Sequence, residues 1–237
     1  MIPVRDDVPS LSRPVVMYAI IVVNVLVYLY MLAIGPRGVG EVVSSFGVVP
    51  VLFTRDPAGT DLLAVYPTLL TSIFLHGGLL HLLVNMWYLW IFGDNVEDRM
   101  GHGKFLIFYL MGGVVANLAH IGLNPLSPIP SIGASGAVAG VLGAYLVLFP
   151  GARIITIVPF IFVFAIQLPA GLVLGVWFII QLWSGLGSIG VDGTAGGIAY
   201  WAHIGGFLFG LLVVRFLAPR RRRRMRHEWE PRERLSW

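Results

Sequence analysis

The run from Ile132 to Phe149 reads IGASGAVAGVLGAYLVLF. It carries no charged side chain, and small residues recur at Gly136, Gly140 and Gly143. A membrane-crossing helix needs about 20 mostly apolar residues. The run therefore predicts a span, and its small-residue stripe predicts close approach of a second helix backbone. Working outward, comparable runs lie at Val15–Ile34, Ile73–Phe92, Phe105–Leu123, Ala170–Leu186 and Ile198–Val214. The 237 residues are 57% hydrophobic and 12% charged, against about 25% charged in soluble domains. The chain reads as an all-α membrane protein, a bundle of six transmembrane helices over residues 15–217. Residues 1–14 form a short leading segment and residues 218–237 a basic tail.

Two segments need separate treatment. Val15–Ile34 is too long for a signal-peptide core and lacks a clear small-residue cleavage site, so it reads as an uncleaved first span. Ile154–Ile166 is apolar but only about a dozen residues long, and lies between Pro150 and Pro169. It predicts a segment lying on or dipping into the membrane face. The first connection, roughly Gly35 to Ser72, mixes apolar patches with Gly47, Pro50, Pro57 and Pro67, which predicts packed structure rather than a free linker.

Charge sets the orientation. Six spans with a cytoplasmic N-terminus place Arg5, Arg13, Arg99, Lys104, Arg153 and the nine basic residues from Arg215 onward inside. Only Arg37 and Arg55 fall outside. That asymmetry satisfies the positive-inside rule with both termini cytoplasmic. The run Arg220–Arg224, just past an apolar span, reads as a contact with anionic lipid headgroups. The formal net charge of +4 thus points to the bilayer and not to nucleic acid. The absence of cysteine excludes disulfides, thiolate metal sites and a cysteine nucleophile.

Strongly polar groups inside spans are costly and normally face a bundle interior or a wet cavity. Here they are few: His81 and Asn85 in the second span with His76 just before, Ser135 opening the fourth, and His203 in the sixth. Spans two, four and six all run from outside to inside, so these groups share one depth near the outer face. His81 and Asn85 are four apart and project from one helical face. Ser135 sits in Gly133-Ala134-Ser135-Gly136, and His203 in Ala202-His203-Ile204-Gly205-Gly206, followed by Gly210. If the stripes Gly136/Gly140 and Gly206/Gly210 face each other, Ser135 and His203 come within hydrogen-bond reach. A weak hydroxyl nucleophile needs that adjacent base. No Asp or Glu lies within any span, so the pattern supports a Ser–His dyad, with His203 oriented by packing or a neutral hydrogen bond. His81, Asn85 and the first-turn N–H groups at Ser135 are then free to serve as oxyanion donors.

Each piece alone has a plainer reading. Gly-x-Ser-Gly occurs at tight helix packing, and His81 with Asn85 could be an interhelical hydrogen-bonding pair. His76, His81 and His203 could suffice for zinc, but no His-Glu-x-x-His pattern or intramembrane carboxylate accompanies them, so no metal and no cofactor are expected. A small transporter should show repeat symmetry or broken helices, and neither is visible. Order, depth and spacing together favour the enzyme.

Taken jointly, the stretches from Phe74 to Trp87, Gly133–Gly136 and Ala202–Gly206 with Gly210 resemble the rhomboid family of intramembrane serine proteases. The order His-x3-Asn, Gly-x-Ser-Gly, Ala-His-x2-Gly-x3-Gly follows that family's pattern over roughly residues 15–217. The resemblance implies a six-helix bundle with an outward-opening, water-filled site. It implies Ser135 as nucleophile, His203 as base, and His81, Asn85 and the Ser135 N–H as oxyanion stabilisers. It further implies that Gly133 and Gly136 keep the nucleophile turn open, and that Gly206 permits close helix approach. Substrates would be membrane proteins cut in or near a transmembrane segment. The alternative it leaves is a rhomboid-like protein that binds membrane clients without cutting them. Two positions depart from the pattern. Tyr66-Pro67-Thr68 stands where many members carry a Trp-Arg pair, and Ala139 where some carry a Tyr stacked on the histidine. The loop Gly185–Gly197 and the front of the fifth span are the expected moving parts. An uncleaved first span with inside termini predicts a prokaryotic cell membrane, with the site opening to the extracytoplasmic side.

Overall fold

The apolar runs become helices in the computed structural model, which describes residues 2–55, 61–159, 163–188 and 198–218. The long helices are α1 (Val15–Ala33), α6 (Leu79–Met100), α7 (His102–Leu123), α8 (Ser135–Leu148), α9 (Ala170–Gly187) and α10 (Tyr200–Leu217). The first connection is structured, as its composition predicts: α2 (Gly35–Phe46), α3 (Pro50–Thr54), α4 (Leu62–Val65) and α5 (Thr68–Thr71) precede a 3₁₀ turn at Ser72–Phe74. Gly101, with φ of 81°, makes the sharp break between α6 and α7, a left-handed conformation that costs a glycine little.

Four of these helices, α1, α7, α9 and α10, are long and apolar enough to cross a membrane. A fifth candidate is the pair Leu63–Phe74 and Leu79–Met100, bent by 78°. The second predicted span therefore begins its helix at Leu79, not Ile73. The preceding stretch turns aside because Gly77 and Gly78 offer little helix propensity. The fourth run begins its helix at Ser135, not Ile132, and α8 has only 14 residues. Residues 219–237, including the Arg220–Arg224 run, lie outside the described residues, as does most of the loop Gly185–Gly197.

The all-α expectation needs correction. Residues Arg153–Pro159 (β2) and Val163–Pro169 (β3) form an antiparallel hairpin, and Ile2–Asp6 (β1) adds to its edge in the order β1-β2-β3. The register pairs Ile2 with Ile157 and Ile154 with Leu168. The short apolar run is β-branched (Ile154, Ile155, Thr156, Ile157), which favours a pleated strand over a helix. Alternate residues Ile154 and Thr156 are fully buried, the period-two pattern of a strand with one covered face.

Side-chain hydrogen bonds weld this sheet to the bundle. Asp6 accepts from Asn95 Nδ2 of α6 (2.9 Å) and from the Tyr145 hydroxyl of α8. The Trp87 indole donates to the carbonyl of Pro3 (2.7 Å). Beside them, α1 begins after Pro14 with no side-chain cap of its own. Glu97 of α6, fully buried, supplies one by accepting from the amides of Val16 (3.0 Å) and Met17 (2.7 Å). A carboxylate at a helix N-terminus satisfies orphan donors and complements the helix dipole. The His102 ring contacts the same carboxylate.

The tightest packing joins α8 to α10. A Cβ at Gly206 would overlap the carbonyl oxygen of Gly136, and one at Gly210 the carbonyl oxygen of Gly140. Gly143 likewise lies on the carbonyl oxygen of Phe207. The helix backbones touch, as the two glycine stripes predict.

Replacing Gly210 with Ala is expected to destabilise the protein by about 1–3 kcal/mol through overpacking. Gly122→Ala, where a Cβ meets nothing within 4 Å, should be neutral or mildly stabilising. Denaturation in mixed detergent micelles measures both. Burial chiefly raises the Asp6 carboxyl above its ordinary 3.8, while the Tyr145 hydrogen bond opposes the shift. The folded protein then holds the Asp6 proton more tightly than the unfolded chain does. This group's stabilisation is present below the ordinary value and fades as pH rises through the raised one. Asp6→Asn should flatten that slope above the ordinary carboxylate value, in unfolding midpoints compared with wild type.

Candidate active site

Ser135 is the first residue of α8 and His203 lies in the first turn of α10. The glycine contact just described sets their separation. His203 Nε2 is 2.8 Å from Ser135 Oγ, across 68 residues of sequence. Both residues are half-buried.

Gly133 shapes the turn before α8. Its φ of 126° lies where side chains are rarely tolerated. A Cβ there would stand 2.7 Å from the His81 ring and 3.8 Å from Ser135 Oγ. The His81 ring and the Ser135 hydroxyl thus flank one bare stretch of backbone. Gly136 serves packing, since a Cβ there would overlap Ala116 of α7. Val138 N–H makes the first backbone hydrogen bond of α8, to Ala134 (2.9 Å). The amides of Ser135, Gly136 and Ala137 therefore have no backbone acceptor among the described residues. Asn85, one turn below His81, is buried, and its Nδ2 has no hydrogen-bond acceptor among them either. Unpaired amide donors thus stand at the start of α8, and another lies on α6 one turn from His81. An unmet donor in a buried place is costly, and such donors suit an acceptor that arrives from outside.

Further residues outside the three motifs support the site. Gln181 of α9 is buried, and its Oε1 lies 2.8 Å from His203 Nδ1. Its signal was a strongly polar residue within an apolar run. Asn117 of α7 donates to the carbonyl of Leu69 (2.9 Å) and to Ser72 Oγ (3.0 Å). The carbonyl of Ser72 in turn accepts from Gly133 N–H (2.9 Å). The turn before α8 is also held by Val48, which exchanges two backbone hydrogen bonds with Ser131 (2.7 and 3.0 Å). The first connection is therefore a buttress for the turn, even with Tyr66-Pro67-Thr68 in place of a Trp-Arg pair. Trp177 of α9 lies beside His203, ring centres 6.0 Å apart and inclined by 33°. It packs the imidazole where Ala139 leaves no aromatic ring. His76 is buried against His81, ring centres 5.1 Å apart, and neither of its nitrogens has a partner among the described residues.

No group of three or more metal-ligating side chains occurs among the described residues. His76, His81 and His203 are not gathered about a common point.

The Rhomboid domain profile matches residues 64–220, which include every residue of the site. The chain belongs to the rhomboid family. Among its relatives, the human presenilin-associated rhomboid-like protein, mitochondrial, is 33% identical over 172 residues, covering 69% of this chain and 40% of the relative. Rhomboid protein 1, mitochondrial, of Saccharomyces cerevisiae is 32% identical over 149 residues, 61% of this chain and 40% of the relative. The rhomboid protease GluP of Bacillus subtilis is 47% identical over 78 residues, 33% of this chain and 15% of the relative. The chain matches less than half the length of each of these rhomboid proteins. Two of the three are named mitochondrial and one is bacterial, so the expectation of a prokaryotic membrane draws no support from them.

Gly133→Ala forces a strained backbone and pushes the His81 ring aside. It should slow reaction of Ser135 with a fluorophosphonate by about tenfold or more, read as labelling rate by mass spectrometry.

Proposed function

We propose that this rhomboid-family chain is an intramembrane serine endopeptidase using a Ser135–His203 dyad. The observation that carries the reading is the 2.8 Å contact between His203 Nε2 and Ser135 Oγ. It joins residues from two helices whose backbones touch. Helices α1, α6, α7, α8, α9 and α10 serve as six spans, with residues 1–14 and the basic tail 218–237 on the cytoplasmic side. The charge asymmetry supports that orientation.

The shortness of α8 fits this use. Fourteen residues rise about 21 Å, against a hydrocarbon core of about 30 Å. A helix anchored at the cytoplasmic face then begins below the outer surface, and Ser135 sits at depth. Water has to reach it there, which suits the gathering of polar groups at that one level.

His203 Nε2 takes the Ser135 hydroxyl proton as Oγ attacks a peptide carbonyl carbon. The carbonyl oxygen becomes an oxyanion within reach of donors from His81, Asn85 and the Ser135 amide. The C–N bond breaks, the imidazolium returns its proton to the leaving amine, and an ester remains on Ser135. Water, deprotonated by His203, hydrolyses that ester and restores the hydroxyl. Substrates are transmembrane proteins cleaved in or near a span. No cofactor is required. The basic tail meets anionic headgroups.

Cleavage of a fluorescent single-span substrate by purified protein in detergent tests the reading. Wild type should cut, and Ser135→Ala and His203→Ala should fall to background. Equal cutting by Ser135→Ala would overturn the serine mechanism. No cutting by wild type across several substrates and lipids would point to the client-binding alternative.

A further inference from the structure

Among the described residues no carboxylate bonds His203, yet both of its ring nitrogens have a partner. Nε2 faces Ser135 Oγ and Nδ1 faces Gln181 Oε1, each at 2.8 Å. The three residues come from α8, α9 and α10. We propose that Gln181 is a positioning residue, which holds neutral His203 in the tautomer protonated at Nδ1.

The argument is one of donors and acceptors. A neutral imidazole has one N–H and one lone pair. The amide oxygen of Gln181 accepts only, so the imidazole proton belongs on Nδ1. The lone pair is then left on Nε2, where the Ser135 hydroxyl donates to it. The opposite tautomer would set two lone pairs against each other at Nδ1 and Oε1. It would also put an N–H on Nε2, where a base needs a lone pair. An amide suits this place better than a carboxylate. It orients the ring without a buried negative charge, which a membrane interior penalises. Trp177, four residues earlier on the same helix, lies beside the ring, so α9 constrains both the plane and the proton of His203.

The plainer account is that Gln181 only satisfies its own amide in an interhelical contact. Such a contact would affect stability but neither the proton position on His203 nor the pH profile of the reaction. The inference rests on the dyad reading, but its first readout needs no catalysis. Nitrogen-15 imidazole spectra of the full chain in micelles, with the His203 signals assigned by their loss in His203→Gln, report the tautomer directly. Wild type should show a protonated Nδ1, and Gln181→Leu should move the population toward protonated Nε2. In the cleavage assay, Gln181→Leu should lower kcat by about 10- to 100-fold with KM nearly unchanged. Gln181→Glu keeps the acceptor. It should retain the Nδ1-protonated form and move the acid limb of the kcat profile to higher pH, because a carboxylate favours the imidazolium. A wild-type His203 protonated at Nε2 would overturn the proposal. So would a Gln181→Leu protein with unchanged tautomer, kcat and pH profile. If the tautomer shifts as expected while wild type cuts nothing, the positioning role stands and the protease reading falls.

Discussion

Contact between the backbones of α8 and α10 is the constraint on which the rest depends. Gly143 on one helix and Gly206 and Gly210 on the other leave no room for a Cβ, and the last two rest on the carbonyl oxygens of Gly136 and Gly140. In a bilayer, apolar burial gives little drive for helices to associate, so close packing must supply it. Here it also sets a chemical distance. Ser135 lies one residue before Gly136 and His203 three before Gly206, so seating the glycine pair places Oγ against Nε2. The site is an extension of the packing, and its precision comes from rigid elements rather than loops.

The far end of the bundle follows a different rule. There the structure satisfies one buried and one half-buried carboxylate. Glu97 caps a helix through Val16, 81 residues earlier, and Asp6 gathers hydrogen bonds from Asn95 and Tyr145. These contacts bind α1 and the β1 strand to α6 and α8. The two ends differ: the first amides of α8 are left without backbone acceptors, whereas the first amides of α1 meet Glu97.

Much of this was legible in the sequence, for reasons that differ by residue. Ser135 and His203 could be paired in advance because their flanking glycines stand at four-residue spacing, which fixes a helical face. The buttressing by the first connection was legible only in outline, because the backbone exchange between Val48 and Ser131 leaves no mark on side-chain identity. Gln181 was overlooked although it interrupts an apolar run, since its meaning comes from a ring 22 positions away. The hairpin at Ile154–Ile166 was missed because apolar runs were weighed by length alone. The β-branched composition of β2 was the available sign. Its pairing with β1 was out of reach, because no local pattern links Ile2 to Ile157.

That pairing has a consequence for the order in which the molecule is made. β1 leaves the ribosome some 150 residues ahead of its partner Arg153–Pro159. At about 5–20 residues per second, β1 waits roughly 8 to 30 seconds for an edge to join. In that interval α1, α6, α7 and α8 are all synthesised. The Asn95 and Tyr145 contacts of Asp6 become available before the strand partner does. Synthesis order thus offers β1 its helix partners before its strand partner. The three-stranded sheet can be completed only once the chain through α8 has been made.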